Sequence, residues 1–159
     1  MPPRPLSAVL FNSQSQAIMP GQQITNGFDG PLQTIFQAFM ADWVLVPAKS
    51  AQEVMDTYFA PDFFAEIDGH HLSHAQFQRR IDRMRKDASV ETQEFIEMME
   101  TDDRLFSMHT TRGLSLASGH PFETRAIALF VFEGGKIKRG YLNSATLGDP
   151  SDADFASRS

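Results

Sequence analysis

The sequence predicts an α+β domain: three amphipathic helices first, then a run of long antiparallel strands packed on them. Three observations predict it. Apolar residues recur at helical spacing in three stretches between residues 31 and 84. Four strand-like stretches follow, over 90–100, 104–116, 122–133 and 136–146. The last two are joined by Gly134-Gly135, a favoured two-residue hairpin loop. At 159 residues the chain has the size of one domain and buries enough surface for a core without staples.

Taken in order, residues 1–29 read as an extension rich in Pro, Gln, Ser, Asn and Gly, with isolated apolar residues and no periodicity. The domain proper spans 30–148. Gly30 caps the first helix and Pro31 suits its first position. Leu32, Ile35, Phe36, Phe39, Met40 and Trp43 then form one broad apolar stripe, and Pro47 ends the run. Ser50 and Glu53 make a capping box for a second helix, whose buried side is Val54, Met55, Tyr58 and Phe59, with Pro61 as its stop. A short hairpin follows over 63–72, turning at Asp68-Gly69. Ser73 and Gln76 cap a third helix with Phe77, Ile81 and Met84 on its buried stripe. Thr101-Asp102-Asp103 separates the first two long strands. Residues 149–159 form an acidic, polar tail.

Composition narrows the function. The formal charge of −6 argues against nucleic-acid binding, which needs a basic footprint. The basic cluster Arg79, Arg80, Arg83, Arg85 and Lys86 reads as a solvated helix face. No apolar run is long enough for a membrane span, and the start lacks a signal-peptide core and cleavage site. There is no cysteine, so disulfides, thiolate nucleophiles and cysteine metal sites are excluded. The expectation is a cytoplasmic protein that is not exported. His70 and His74 lie four apart, but the third helix begins only after Ser73, so they share no helical face. No metal site and no cofactor is expected. Triad, phosphate-loop and dinucleotide motifs are absent.

The stretches YFAPDFFAEIDG at 58–69, SHAQFQRRI at 73–81 and ALFVFEGGKIKRGYLN at 128–143 resemble the nuclear transport factor 2-like superfamily. Within it they resemble the SnoaL-like branch, related to polyketide cyclases and steroid isomerases. The resemblance covers roughly residues 31–147. It implies a strongly curved, cone-like antiparallel sheet wrapped around the three helices, open at one end, with a small apolar ligand inside. Fold alone does not select an activity, since such folds serve both enzymes and binding modules.

Strand alternation supplies candidate cavity residues. A two-residue loop at Gly134-Gly135 would pair Phe132 with Ile137, Phe130 with Arg139, Ala128 with Tyr141 and Ala126 with Asn143. Partners opposite each other share a face. The resemblance turns this set toward the cavity: Ala128 leaves room, Phe130 forms a wall, and Arg139, Tyr141 and Asn143 orient a ligand. Ordinary core or a subunit interface is the alternative use of this face. Phe39, Trp43, Phe63 and Ile67 are the further ligand-contact candidates. Val131, Leu129, Ile127 and Leu142 would then form an apolar outer face suited to a homodimer.

Three groups are candidates for chemistry. His109, within an apolar strand, suits a general acid or base near neutral pH; a buried structural histidine or a solvent-facing one is the alternative. Asp68 lies beside the position of the steroid isomerase catalytic acid, which aligns with Ile67, and as Asp before Gly it also suits plain turn formation. Tyr58 would donate a hydrogen bond into the cavity or pack in the core. The protonated acid of the steroid isomerases aligns with Ala128, and no Asp or Glu occurs within 124–132 or 137–147. Two readings stay open. One is an isomerase, cyclase or lyase working by proton transfer through His109 and Asp68. The other is a ligand-binding or dimeric assembly module without chemistry.

Overall fold

The computed structural model describes residues 17–18, 27–45 and 48–147. Most of the expected extension (1–29) and all of the expected tail (149–159) lie outside the described residues. Within the first, Ala17–Ile18 (β1) pair antiparallel with a sheet edge, Ala17 opposite Glu94.

Helix α1 (Pro31–Met40) starts where Gly30 and Pro31 predict; the Gly30 N–H donates to Gln33 Oε1 at 3.0 Å, and the Gln33 N–H donates to Glu100 Oε2 at 2.8 Å. It runs on as a π-helical turn, Ala41–Leu45. Helix α2 (Ala51–Tyr58) carries the expected box between Ser50 and Glu53. At eight residues it is too short to persist alone in water, so Val54, Met55 and Tyr58, all buried, must hold it. Pro61 does not stop this helix. The chain turns extended at Phe59 and continues through Pro61 as β2 (Phe59–Ile67). Hairpin strand β3 (His70–Ser73) follows, and Asp68 and Gly69 take φ of 49° and 82°, as a primed turn requires. Helix α3 (His74–Asp87) is capped by Ser73 and Gln76. The long strands are β4 (Ala88–Glu100), β5 (Arg104–Ser115), β6 (Pro121–Glu133) and β7 (Lys136–Leu147).

The sheet order is β1-β4-β5-β6-β7-β2-β3. Neighbours are antiparallel except β2 and β7, which run parallel, so the sheet is mixed. Irregularities interrupt β4 twice, between Val90 and Thr92 and between Phe95 and Glu97. Bulges of this kind bend a strand and raise its twist, which curves the sheet over the helices. At the first of them Gly113 lies opposite Val90, and a Cβ there would stand 2.1 Å from the Ser89 carbonyl oxygen. Only glycine permits that approach.

A third irregularity corrects the expected register. Phe132 pairs with Ile137, but Val131, not Phe130, pairs with Arg139. The extra residue on β7 shifts every later pair by one: Phe130 faces Gly140, Ala128 faces Leu142 and Ala126 faces Ser144. A one-residue shift sends side chains to the opposite face. Arg139, Tyr141 and Asn143 therefore lie on the outer face, exposed, and Leu142 turns inward away from it.

Between helices and sheet the core is aromatic. Phe36 stacks 5.0 Å from Phe130, Phe39 is 5.0 Å from Phe59, and Phe59 is 4.6 Å from Phe63. Truncating one such buried ring typically costs 3–5 kcal/mol. The basic face of α3 is not uniformly solvated. Arg85 donates to the carbonyls of Trp43 and Asp42, left open at the end of the first helix, at 2.7 and 3.0 Å, and to that of Lys49, just before α2, at 2.8 Å. Among the described residues no helix is long and apolar enough to cross a membrane.

Candidate functional site

A cavity of about 120 Å³ lies between the helices and the concave face of the sheet. An engineered apolar cavity of comparable size, about 150 Å³, holds one benzene ring. Phe36, Phe39, Met40 and Trp43 form its helical wall. Phe63, Ala65 and Ile67 come from β2, and Phe77, Arg80 and Met84 from α3. The long strands add Val90, Gln93, His109, Thr111, Phe122, Thr124, Ala126, Phe130, Gly140, Leu142 and Ser144. Among the described residues no Asp or Glu lines it.

His109 reaches the cavity because β5 alternates: 107, 109 and 111 point inward and 106 and 108 outward. Its ring is 4% exposed and sits 5.7 Å from Phe36 and 6.1 Å from Phe95. Nδ1 lies 3.0 Å from Ser107 Oγ, its one hydrogen-bond partner among the described residues. Burial with no neighbouring carboxylate pushes its pKa down from 6.5 to about 4. The imidazole is therefore neutral at neutral pH, and is a weak base there.

The remaining polar lining is mostly spoken for. Thr111 Oγ1 donates to Gln93 Oε1 at 3.0 Å. Ser144 gives both its backbone N–H and its hydroxyl to the Asp68 carboxylate, each at 2.7 Å. Asp68 itself is exposed in the β2–β3 turn, clamping that turn onto β7, and does not line the cavity. Tyr58 is buried on α2, also outside the lining. It donates to Asp42 Oδ2 at 2.5 Å, and Lys49 joins the same oxygen at 2.5 Å. Burial and this carboxylate raise the phenol's pKa.

Of the sequence-derived candidates, the structure gathers Phe39, Trp43, Phe63, Ile67, Phe130 and His109 around one space. Ala128 is buried just beyond it. Arg139, Tyr141 and Asn143 lie on the other face, and Gly140, Leu142 and Ser144 take their places. A Cβ at Gly140 would meet the Phe130 ring at 3.1 Å, so that ring would have to give by a few tenths of an ångström. Arg80 escaped the sequence reading although its spacing signals it. Phe77, Arg80, Ile81 and Met84 fall at i, i+3, i+4 and i+7, so Arg80 lies on the buried stripe of α3.

The chain that folds into this helical layer and bulged, unclosed sheet matches a family model over residues 36–140, described as the SnoaL-like domain. This chain belongs to that family. No curated protein sequence matches this SnoaL-like chain significantly. Solved structures share its fold. A SnoaL-like polyketide cyclase from Agrobacterium tumefaciens is 15% identical, with 80% of this chain and 98% of that one covered and a TM-score of 0.58. A protein of ketosteroid isomerase-like fold from Catenulispora acidiphila, solved with trimethylamine, is 16% identical over 75% of this chain and 88% of its own, with a TM-score of 0.57. A de novo designed protein with a curved β-sheet is 14% identical over 80% and 92%, at a TM-score of 0.54. A fold reached by design as well as by natural cyclases carries no activity by itself.

Proposed function

We propose that this SnoaL-like domain binds a small, mostly apolar molecule in its central cavity and does so without acid–base turnover. The observation that carries this reading is the lining: mostly aromatic and aliphatic walls, no carboxylate among the described residues, and one histidine held neutral by burial. A one-ring ligand burying roughly 150 Å² of apolar surface gains about 4 kcal/mol, which corresponds to a Kd near the millimolar range before any polar contact. Ligand-observed NMR with benzyl alcohol tests it, comparing the natural chain with Ala126→Leu, which fills the lining from β6. Binding that disappears in the variant is the expected result. No binding to the natural chain, or equal binding to both, would overturn the proposal.

The second reading, proton transfer by an isomerase, cyclase or lyase, is favoured by one observation, that His109 lines the cavity. It requires His109→Gln to abolish turnover of a bound carbonyl compound while leaving binding intact. Asp68, the partner expected in that reading, bonds to Ser144 and does not line the cavity, so the reading is carried by His109.

We also infer a homodimer through the outer sheet face. Ile127, Leu129 and Tyr141 are exposed there, at 47%, 36% and 37%, and Phe64 packs edge-on to Tyr141 at 6.4 Å. Tyr141 stands where Leu142 was expected. Contiguous apolar surface of this kind is a liability unless covered.

A further inference from the structure

We propose that the cavity ligand is a one-ring organic acid whose carboxylate is held by the Arg80 guanidinium. This deepens the cavity-binding reading and rests on it. Arg80 lines the central cavity, and it also lines a separate surface groove with Leu72, Gln76, Arg79 and Arg83. It therefore stands where an apolar interior meets a cationic surface. A ligand reaching from one to the other has an apolar body and an anionic end.

Arg80 is also unmatched. Its Nε is buried and has no hydrogen-bond partner, and the side chain makes no ion pair with a described residue. Asp68 acts on it through space, with no hydrogen bond or ion pair between them among the described residues. Arg83 repels it, and Arg79 and Arg83 are exposed and likewise without ion pairs among the described residues. A half-buried guanidinium with no acceptor is a poor arrangement for the empty protein. It is a good one for a carboxylate, which accepts two parallel N–H bonds from the guanidinium fork.

A second orphan points the same way. The Nε1–H of Trp43, another lining residue, is buried with no partner. Both indole and guanidinium are donors only, so the complement they lack is an acceptor. Among the described residues the lining carries no carboxylate to compete. The net charge of −6 makes the Arg79–Arg80–Arg83 groove a local exception that steers anions to this rim.

The experiment compares phenylacetate with phenylacetamide, equal in shape and differing in charge, by titration calorimetry. Against the natural chain, phenylacetate should bind at least ~10-fold more tightly, the scale of a charge-assisted bidentate contact. In Arg80→Gln that preference should collapse to within about 2-fold, with the fold of the variant checked by circular dichroism. Arg80→Lys, keeping the charge without the fork, should retain part of it. Ala126→Leu should abolish binding of the acid. Equal binding of acid and amide to the natural chain would overturn the acid proposal and leave cavity binding standing. Acid binding that survives in Ala126→Leu would place the anion on the outer groove alone and also overturn it. Binding of neither compound would overturn both readings.

Discussion

Removing the imidazole from the cavity wall should flatten the acid side of the stability curve. Burial lowers the His109 pKa from 6.5 to about 4. Between those values the unfolded chain binds a proton at position 109 that the folded chain refuses, so stability falls as pH falls through the window. Above about pH 6.5 there is no penalty, and below about pH 4 the penalty is complete. At ~1.4 kcal/mol per tenfold change in proton affinity, the full loss is about 3 kcal/mol, of which about 2 kcal/mol is reached by pH 5. Urea unfolding of the natural chain and of His109→Gln, followed at intervals from about pH 7.5 to pH 5, isolates this residue, because carboxylates contribute equally to both curves. Glutamine does not titrate and still offers Ser107 a hydrogen-bonding partner. The stability gap between the two proteins should move by about 2 kcal/mol in favour of the variant as pH drops. Parallel curves, or an imidazole resonance that titrates near pH 6.5, would refute the assignment of a buried, unpaired histidine.

Two further outcomes are expected. Gly113→Ala should cost at least ~2 kcal/mol in urea unfolding, because the new methyl meets backbone that cannot rotate away; a loss within about 0.5 kcal/mol would contradict the tight β4–β5 crossing. Leu129→Glu should convert a dimer into a folded monomer by light scattering at micromolar protein, whereas a natural chain that is already monomeric would remove the proposed role of the outer face.

Much of this protein was legible in its sequence, for local reasons. The caps at Ser50 and Ser73, the primed turns at Asp68-Gly69 and Gly134-Gly135, and the apolar stripe of α1 each depend on residues within about one helical turn or one hairpin. His109 was singled out because it interrupts an apolar strand, which any one-residue inspection finds. Arg80 was equally legible and was passed over, since a cluster of five cations draws attention to charge and hides the i, i+3, i+4, i+7 spacing beneath it.

The order of the main elements, the class α+β and the apolar inner wall all follow from local sequence pattern. Tertiary structure alone decided which polar groups meet that wall. The bulge on β7 exchanged Arg139, Tyr141 and Asn143 for Gly140, Leu142 and Ser144, and the return path of the chain made β2 and β7 parallel. The physical reason is that side-chain direction in a strand has a period of two. One inserted residue, favoured by the curvature that the whole sheet needs, reverses every assignment beyond it without changing any local preference.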